Sequence, residues 1–525
     1  MRIVNYFVIL GVALTLFSCK GNGNKQNVEA DALEAADSAE VPVVIERLPD
    51  TVFPSAEKIK YKVDIFDSAV NGRLESLTDL YDNKQSLMTF RRGLKRQGNF
   101  DGRLDSMPKA IKIDWTFKTA EDWSPMPFGP WGGGSGWTGQ PLYVEWPDSL
   151  AAKLKNSGAV LPEFNGKEII VGSLCGKIYF IEPRKGVPTR NPIDAGNPIK
   201  GTPSFDPTFN GNLYVGQGVP GKRPFGAIGV SLFTNKVFDM FAEDSKAWRH
   251  WGAYDSSPLR VGQFLFRPAE NGGIYKFIVG EASLKLHSVL RYSVGGAAPG
   301  IESSMAIYSN YGFVTDNHGN ILGVNLDNLT PVWHYSIGDD TDATPLVAVE
   351  NGIPYLYVGC EIDRQARGYC VFVKLNGLTG EEEWKAEVPG KRYQTGTKHF
   401  DGGFYASALL GKGNCEGLIF TNCVKNLSGQ NGAFVAFDRK TGAVKYETPL
   451  KAYAWSSPVG YLLNDGRWIV VTGDCHGNIY VINGENGEII LTEKVGHNFE
   501  SSPAIVDNSI ILGSRTNGIY KITLQ

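Results

Sequence analysis

The feature that most limits what this chain can fold into is a pattern that recurs eight times and is cut short in its last copy. The segment SSPVGYLLNDGRWIVVTGDCHGNIYVINGENGEII (456–490) sets small-small-Pro before an apolar stretch and then alternates apolar stretches with short Gly-containing turns. SSPAIVDNSIILGSRTNGIYKITLQ (501–525) begins in the same way and stops one stretch early. Related openings are QPLYVEW (140–146), TPSF (202–205), SSPL (256–259), SSMAIY (303–308), TPLVAV (344–349) and ASALL (406–410). The proline or its substitute falls at 141, 203, 258, 305, 345, 408, 458 and 503. Irregular spacing over a core of about 40–50 residues is what repeats with loop insertions produce.

Within each copy the apolar stretches are short, rich in Val, Ile, Tyr and Phe, and bounded by Gly, Asn and Asp. That reads as strand-turn-strand. HGN (318–320 and 476–478) and TNG (516–518) are tight-turn signals. A lone four-stranded sheet cannot cover its own apolar faces, whereas neighbours arranged radially can. The sequence therefore predicts an all-β, eight-bladed propeller of four-stranded antiparallel blades over 109–525. The truncated last copy lacks its outer strand. AIKIDWTFKT (110–119) resembles the outer strands EEEWKAEV (381–388) and TPVWHYSI (330–337), including the Trp. Residues 110–119, with Trp115, are thus expected to complete the last blade and leave no open edge.

Composition agrees with this architecture: 11% aromatic residues, 62 Gly and 28 Pro suit many short strands and turns. A net charge of −3 argues against a broad nucleic-acid footprint. The N-terminus is more specific. A basic Arg2 and about a dozen apolar residues lead to Leu16-Phe17-Ser18-Cys19, which resembles the lipobox of bacterial lipoproteins. Residues 1–18 are read as a cleaved signal, too short for a comfortable membrane span, and Cys19 as the lipidated first residue. The stretch 19–59 is read as a flexible tether. Residues 60–108, with a short helix and a basic Gly-punctuated loop within 74–102, are expected to pack on the propeller without forming a domain.

The remaining cysteines would meet an oxidising compartment, where disulfides are allowed. Cys415 and Cys423 bracket a strand that would hold them ~26 Å apart, against the ~5.5 Å a bridge needs. Cys360 and Cys370 close an inter-strand loop and form the candidate pair. Cys175, Cys423 and Cys475 precede hairpin turns, and His318 and His476 lie in such turns. They sit in separate blades and are read as turn and packing residues, with no metal site assigned.

LNGLTGEEEW (375–384), AFDRKTGAVKY (436–446) and VINGENGEII (481–490) resemble the A-x-D-x-x-T-G-x-x-x-W docking signature of the pyrroloquinoline quinone (PQQ) repeat family. The resemblance covers roughly 110–525. It assigns inter-blade docking to Thr379, Gly380, Trp384, Thr441 and Gly442, with Tyr446 in place of a Trp. The family holds two kinds of protein: quinoprotein dehydrogenases that use PQQ and calcium, and the cofactor-free propeller lipoproteins that assist β-barrel assembly in the outer membrane. Quinone chemistry requires a clamp, a divalent cation and a carboxylate base. Asp255, Glu302, Asp342 and Glu500 could serve as carboxylates, but the adjacent-cysteine clamp of many such dehydrogenases is missing and few blades carry the docking Trp.

The reading favoured is a lipid-anchored, non-catalytic binding or assembly propeller, outer-membrane bound and facing the periplasm, with no cofactor. The alternatives are a PQQ- and Ca²⁺-dependent alcohol or sugar dehydrogenase and a carbohydrate or peptide receptor. Expected partners are the membrane, through the lipid, and an envelope protein or small polar ligand at the channel mouth. Residues just before each repeat should gather there: Trp137, Lys200, Asp255, Glu302, Asp342, Tyr405, Trp455 and Glu500. That rim would be acidic and aromatic, suited to a cation, a basic peptide or a hydroxyl-rich ligand.

Overall fold

The computed structural model describes residues 46–98, 101–136, 139–221, 224–242, 244–364, 367–395 and 398–525. The expected signal segment, Cys19, most of the tether and Trp137 lie outside the described residues.

The chain forms eight radial blades, each built on four antiparallel strands, which run from inner to outer edge in chain order in all but the last. Numbered as blades 1–8, their inner strands begin at Leu142, Ser204, Leu259, Ala306, Leu346, Leu409, Val459 and Ala504. Each start lies one residue after the recurring proline or its substitute. The small residue before that proline has a bonding role. The backbone N–H of Gln140 donates to the Thr202 hydroxyl (2.8 Å), that of Ser257 to Ser304 (2.9 Å) and that of Ser304 to Thr344 (2.9 Å). Ser407 donates to Ser457 (3.1 Å) and Ser457 to Ser502 (3.2 Å). Ser502 N–H then reaches the Gly139 carbonyl at 3.0 Å, which returns the series to blade 1. Hydroxyls at this position thus satisfy buried backbone donors that a blade cannot satisfy internally.

The ring closes as the truncated repeat requires. Ile111–Lys118 pairs antiparallel with Gly518–Leu524 as the outer strand of blade 8, with a bulge between Ile113 and Trp115. Outer-strand aromatics then lock each blade to the next. The Trp115 indole donates to the Pro183 carbonyl (3.1 Å) in blade 1, Trp333 to Gly377 (3.0 Å), and Trp384 to Arg439 (3.0 Å), while the Tyr446 hydroxyl donates to Gly484 (2.7 Å). Each ring covers a turn glycine of the following blade, respectively Gly186, Gly380, Gly442 and Gly487. Those glycines have φ of 68–77°, and a β-carbon there would come within 2.5–2.6 Å of the ring above it. Thr441 steadies its turn through Asp438 (3.0 Å), and Thr379 bonds Glu381 (3.1 Å).

Residues 46–58, expected to belong to the tether, instead lie along blade 4. Leu48 N–H donates to Asn310 (2.8 Å) and Phe53 N–H to the Val332 carbonyl (2.8 Å). Ile59–Ile65 then adds a fifth, outer strand to blade 3.

The segment from Leu87 to Gln97 occupies the axis of the ring. Leu87 pairs with Tyr143 of blade 1, and the carbonyls of Met88, Leu94 and Lys95 accept from Phe205, Ile307 and Val347 of blades 2, 4 and 5. Arg91, fully buried, donates to the carbonyls of Ala408 and Pro458 in blades 6 and 7, and Arg96 to Ser257 (2.8 Å) and Met305 (2.9 Å) in blades 3 and 4. A segment bonded to inner strands on opposite sides of the ring must cross the channel, so the channel is stoppered. No helix forms in the described part of 74–102, against expectation. Arg91, Arg92 and Arg96 take φ of 52°, 44° and 54°, and the carbonyls of Met88, Leu94 and Lys95 serve the inner strands instead. Among the described residues the α-helix is Asp148–Ser157, inserted between the first two strands of blade 1.

Cys360 and Cys370 do not pair. The Cys360 N–H bonds the Val371 carbonyl (2.9 Å), so Cys360 lies opposite Val371 and its side chain packs with Val358 and Val371 on the blade 4 side. Its neighbour in register, Cys370, points to the other face, among Phe372 and Val388. Alternation along a strand enforces this separation.

Candidate functional site

In each blade the inner strand starts at the mouth, the second returns to it, and the third leaves again. Two kinds of loop therefore reach the mouth: those before the inner strand and those between the second and third strands. The first kind supplies the residues expected from sequence, and the structure brings seven of the eight into one face. Trp137 lies outside the described residues.

They form two adjoining clusters. In the first, Lys200 ion-pairs with Asp255, lies 3.7 Å from Glu302 and 4.0 Å from Glu270. Burial alone would drive its ammonium toward neutrality, but the Asp255, Glu302 and Glu270 carboxylates outweigh it and hold the proton well above the usual lysine range. Burial, with Glu302 next, raises the Glu270 carboxyl well above its ordinary value, and burial raises Glu302. The Trp251 indole donates to Glu270 at 2.7 Å and stands edge-on to Phe128. This cluster carries its own counter-ion.

Among the described residues the second cluster makes no ion pair of its own, although the Arg364 guanidinium acts on Asp340 and the Lys200 ammonium on Asp342 from farther off. Oxygens of Asp340, Asp342 and Glu361 all lie within 4.8 Å of one another. Burial, then Glu302 and Asp363, pushes Asp340 up to about 7. Burial, then Glu302, Glu361 and Asp340, raises Asp342 well above the carboxylate range, and burial followed by Asp340 does the same to Glu361. Among the described residues, Asp340 Oδ1 and Glu361 Oε1 have no hydrogen-bond partner although both are buried. Three hard oxygen donors with unspent lone pairs suit a divalent cation or an ammonium or guanidinium group.

These carboxylates form one wall of a recess of about 490 Å³. In the same recess the Tyr405 and Trp455 rings stack with centroids 5.1 Å apart, and Tyr453 tilts against Trp455 at 5.2 Å. The Tyr405 hydroxyl bonds Glu361, and burial followed by that carboxylate holds its proton far above the usual tyrosine range. Glu500 lines the same recess and is bridged by Arg515 (2.9 Å), whose guanidinium lies 5.1 Å from the centroid of the Trp131 ring. His399, Phe400, Asp363 and Asp401 complete the rim.

Glu270, Glu361 and Arg515 were not anticipated. All three sit in the connections between second and third strands, directly after Arg267-Pro268-Ala269, Gly359-Cys360 and Gly513-Ser514, Glu361 within a two-residue strand paired to Gly402–Gly403. The end of each second strand, marked by Gly or Pro, was the signal available for them.

The quinone fits this site poorly. PQQ carries three carboxylates, and the recess presents Asp340, Asp342, Glu361, Asp363, Asp401 and Glu500. Arg515, the guanidinium lining it, is already bound to Glu500. A cation, in contrast, matches the donor set.

No family model matches the chain, and no curated protein is significantly similar to it in sequence. Solved structures with the same fold include BamB from Moraxella catarrhalis, at 14% identity and a TM-score of 0.50 over 79% of this chain and 98% of that one. A europium-containing methanol dehydrogenase gives 13% identity and 0.55 over 84% and 91%. The quinohemoprotein alcohol dehydrogenase of Comamonas testosteroni gives 12% and 0.57 over 87% and 83%. The fold is that of the PQQ-like propellers. At these identities the likeness concerns the fold alone.

Proposed function

We propose that this chain is a lipid-anchored propeller of the cell envelope, held at the outer membrane and facing the periplasm, that acts without catalysis as a binding or assembly scaffold. One observation carries the reading: the carboxylates of Asp340, Asp342 and Glu361, which make no ion pair among the described residues, share one recess with the Tyr405–Trp455 stack at the open end of a stoppered channel. Carboxylates bind cationic groups through charge-assisted hydrogen bonds, and aromatic faces cover apolar stems or sugar rings. The occupant is a basic segment of an envelope protein, or a small ligand rich in ammonium or hydroxyl groups. Nucleic acid would be repelled. The lipobox-like Leu16-Phe17-Ser18-Cys19 supports the anchor, and the likeness to BamB supports an envelope association. The dehydrogenase reading draws on the other two neighbours but meets the charge mismatch described above.

The test is titration of the purified protein with oligolysine, a neutral chito-oligosaccharide and oligoglutamate, followed by tryptophan fluorescence. Oligolysine or the sugar should bind to the wild type and not to a folded Trp455→Ala, Asp342→Asn, Glu361→Gln variant, and oligolysine affinity should fall with salt. Equal binding by the variant would move recognition away from this recess.

A further inference from the structure

Two cysteines meet across a blade boundary. Cys370 lies in Tyr369–Asn376 of blade 5 and Cys423 in Leu418–Leu427 of blade 6, and their Sγ atoms are 3.3 Å apart. Both side chains are wholly buried, in the apolar layer that joins the two blades. We propose that the mature protein carries a Cys370–Cys423 disulfide that clamps blade 5 to blade 6.

The geometry favours this pair over any other in blade 5. A disulfide holds its sulfurs at about 2.05 Å, so these must approach by a little over 1 Å, which small side-chain rotations supply. Cys360 faces the opposite side of the blade. The bond would also join residues far apart in sequence, where a cross-link restricts the unfolded chain most.

The chemistry is thiol–disulfide exchange with a disulfide donor, either a dithiol oxidase in its oxidised form or oxidised glutathione. One cysteine thiolate attacks a donor sulfur, forming a mixed disulfide and releasing one donor thiolate. The second thiolate attacks the cysteine sulfur of that intermediate, closing the Cys370–Cys423 bond and releasing the other. Two cysteine thiols are oxidised and one donor disulfide is reduced to two thiols. Exchange needs a thiolate, and in the folded protein burial, followed by the Cys423 sulfur, pushes the Cys370 thiol well above its usual range. The step therefore belongs to folding, before blade 6 docks on blade 5, and the finished bond is shielded from external reductants.

This inference goes beyond the proposed function and shares only the export reading with it. Full-length protein is isolated from cells with thiols alkylated under denaturing conditions, and its peptides are mapped without reduction. The expected result is a linked peptide pair containing Cys370 and Cys423, lighter than the separate peptides by two hydrogens and absent from Cys423→Ser. Cys360→Ser should retain it. Full alkylation of both cysteines overturns the proposal. A parallel refolding in oxidised and reduced glutathione then locates the failure: a link that forms there means the cell delivers the chain to a reducing compartment, and no link there means the sulfur geometry is wrong.

Discussion

Trp115 lies on Gly186, with its indole N–H bonded to the Pro183 carbonyl at 3.1 Å. A residue from the strand that precedes all eight repeats thus rests on the outer turn of blade 1, while its own strand is paired to the last residues of the chain. One side chain joins both halves of the ring closure.

Trp115→Ala should lower stability by about 2–3 kcal/mol, below the 3–5 typical of a fully buried Trp because this strand is partly exposed. Deleting 111–118 removes the strand pairing as well and should cost more. Thermal melts of the two variants should rank in that order, and a wild-type melting temperature for the deletion would show that closure lies elsewhere.

Trp384 covers Gly442 and is more deeply buried. Trp384→Ala should cost about 3–5 kcal/mol. Gly442→Val should also destabilise, because a side chain at φ 74° is strained and would strike the ring. Denaturant midpoints check both, and additive losses in the double variant would contradict the direct contact.

Asp340 makes stability depend on pH. Its carboxyl titrates at about 7 in the fold and near 4 in an unfolded chain, so between those values the folded state holds a proton that the unfolded state has lost. Stability from this group is full below about pH 4 and falls as pH rises toward 7. Asp340→Asn should flatten that slope in calorimetry at low salt. Oligolysine binding should strengthen as pH rises through about 7, where the Asp340 carboxyl ionises in the fold, and an unchanged affinity from pH 5 to 8 would exclude this group from the contact.

Cys19→Ala should release the protein from membranes into the soluble fraction. Fractionation followed by immunoblotting measures this, and unchanged membrane partition would exclude Cys19 as the anchor.

The blade starts were legible because their signal is local: a proline that suits the first residue of an edge strand, preceded by a hydroxyl that receives the neighbouring blade's N–H. The closing strand was legible through Trp115, which repeats a pattern seen in complete blades. The rim residues before each inner strand followed from the same register. Glu361 and Arg515 did not, because the connections that carry them vary in length and the Gly that ends the strand before each marks a turn without saying which residue beyond it reaches the mouth. The stopper was hidden for a deeper reason. Met88, Leu94 and Lys95 find their partners on three different blades, and no pattern within 87–97 records bonds distributed around a ring. The mistaken pairing of Cys360 with Cys370 came from loop proximity alone, whereas counting strand parity from Val371 would have separated them.

The axial segment held by Arg91 and Arg96 has a mechanical consequence for whatever occupies the recess. A polymer cannot be threaded from one face of the ring to the other, so a long peptide or glycan can present only a terminus, a side branch or a tight bend. Arrival and departure use the same opening, and one occupant must leave before the next can enter. On the proposed reading, a scaffold built this way would hold its guest by one end and leave the remainder of it free to engage something else.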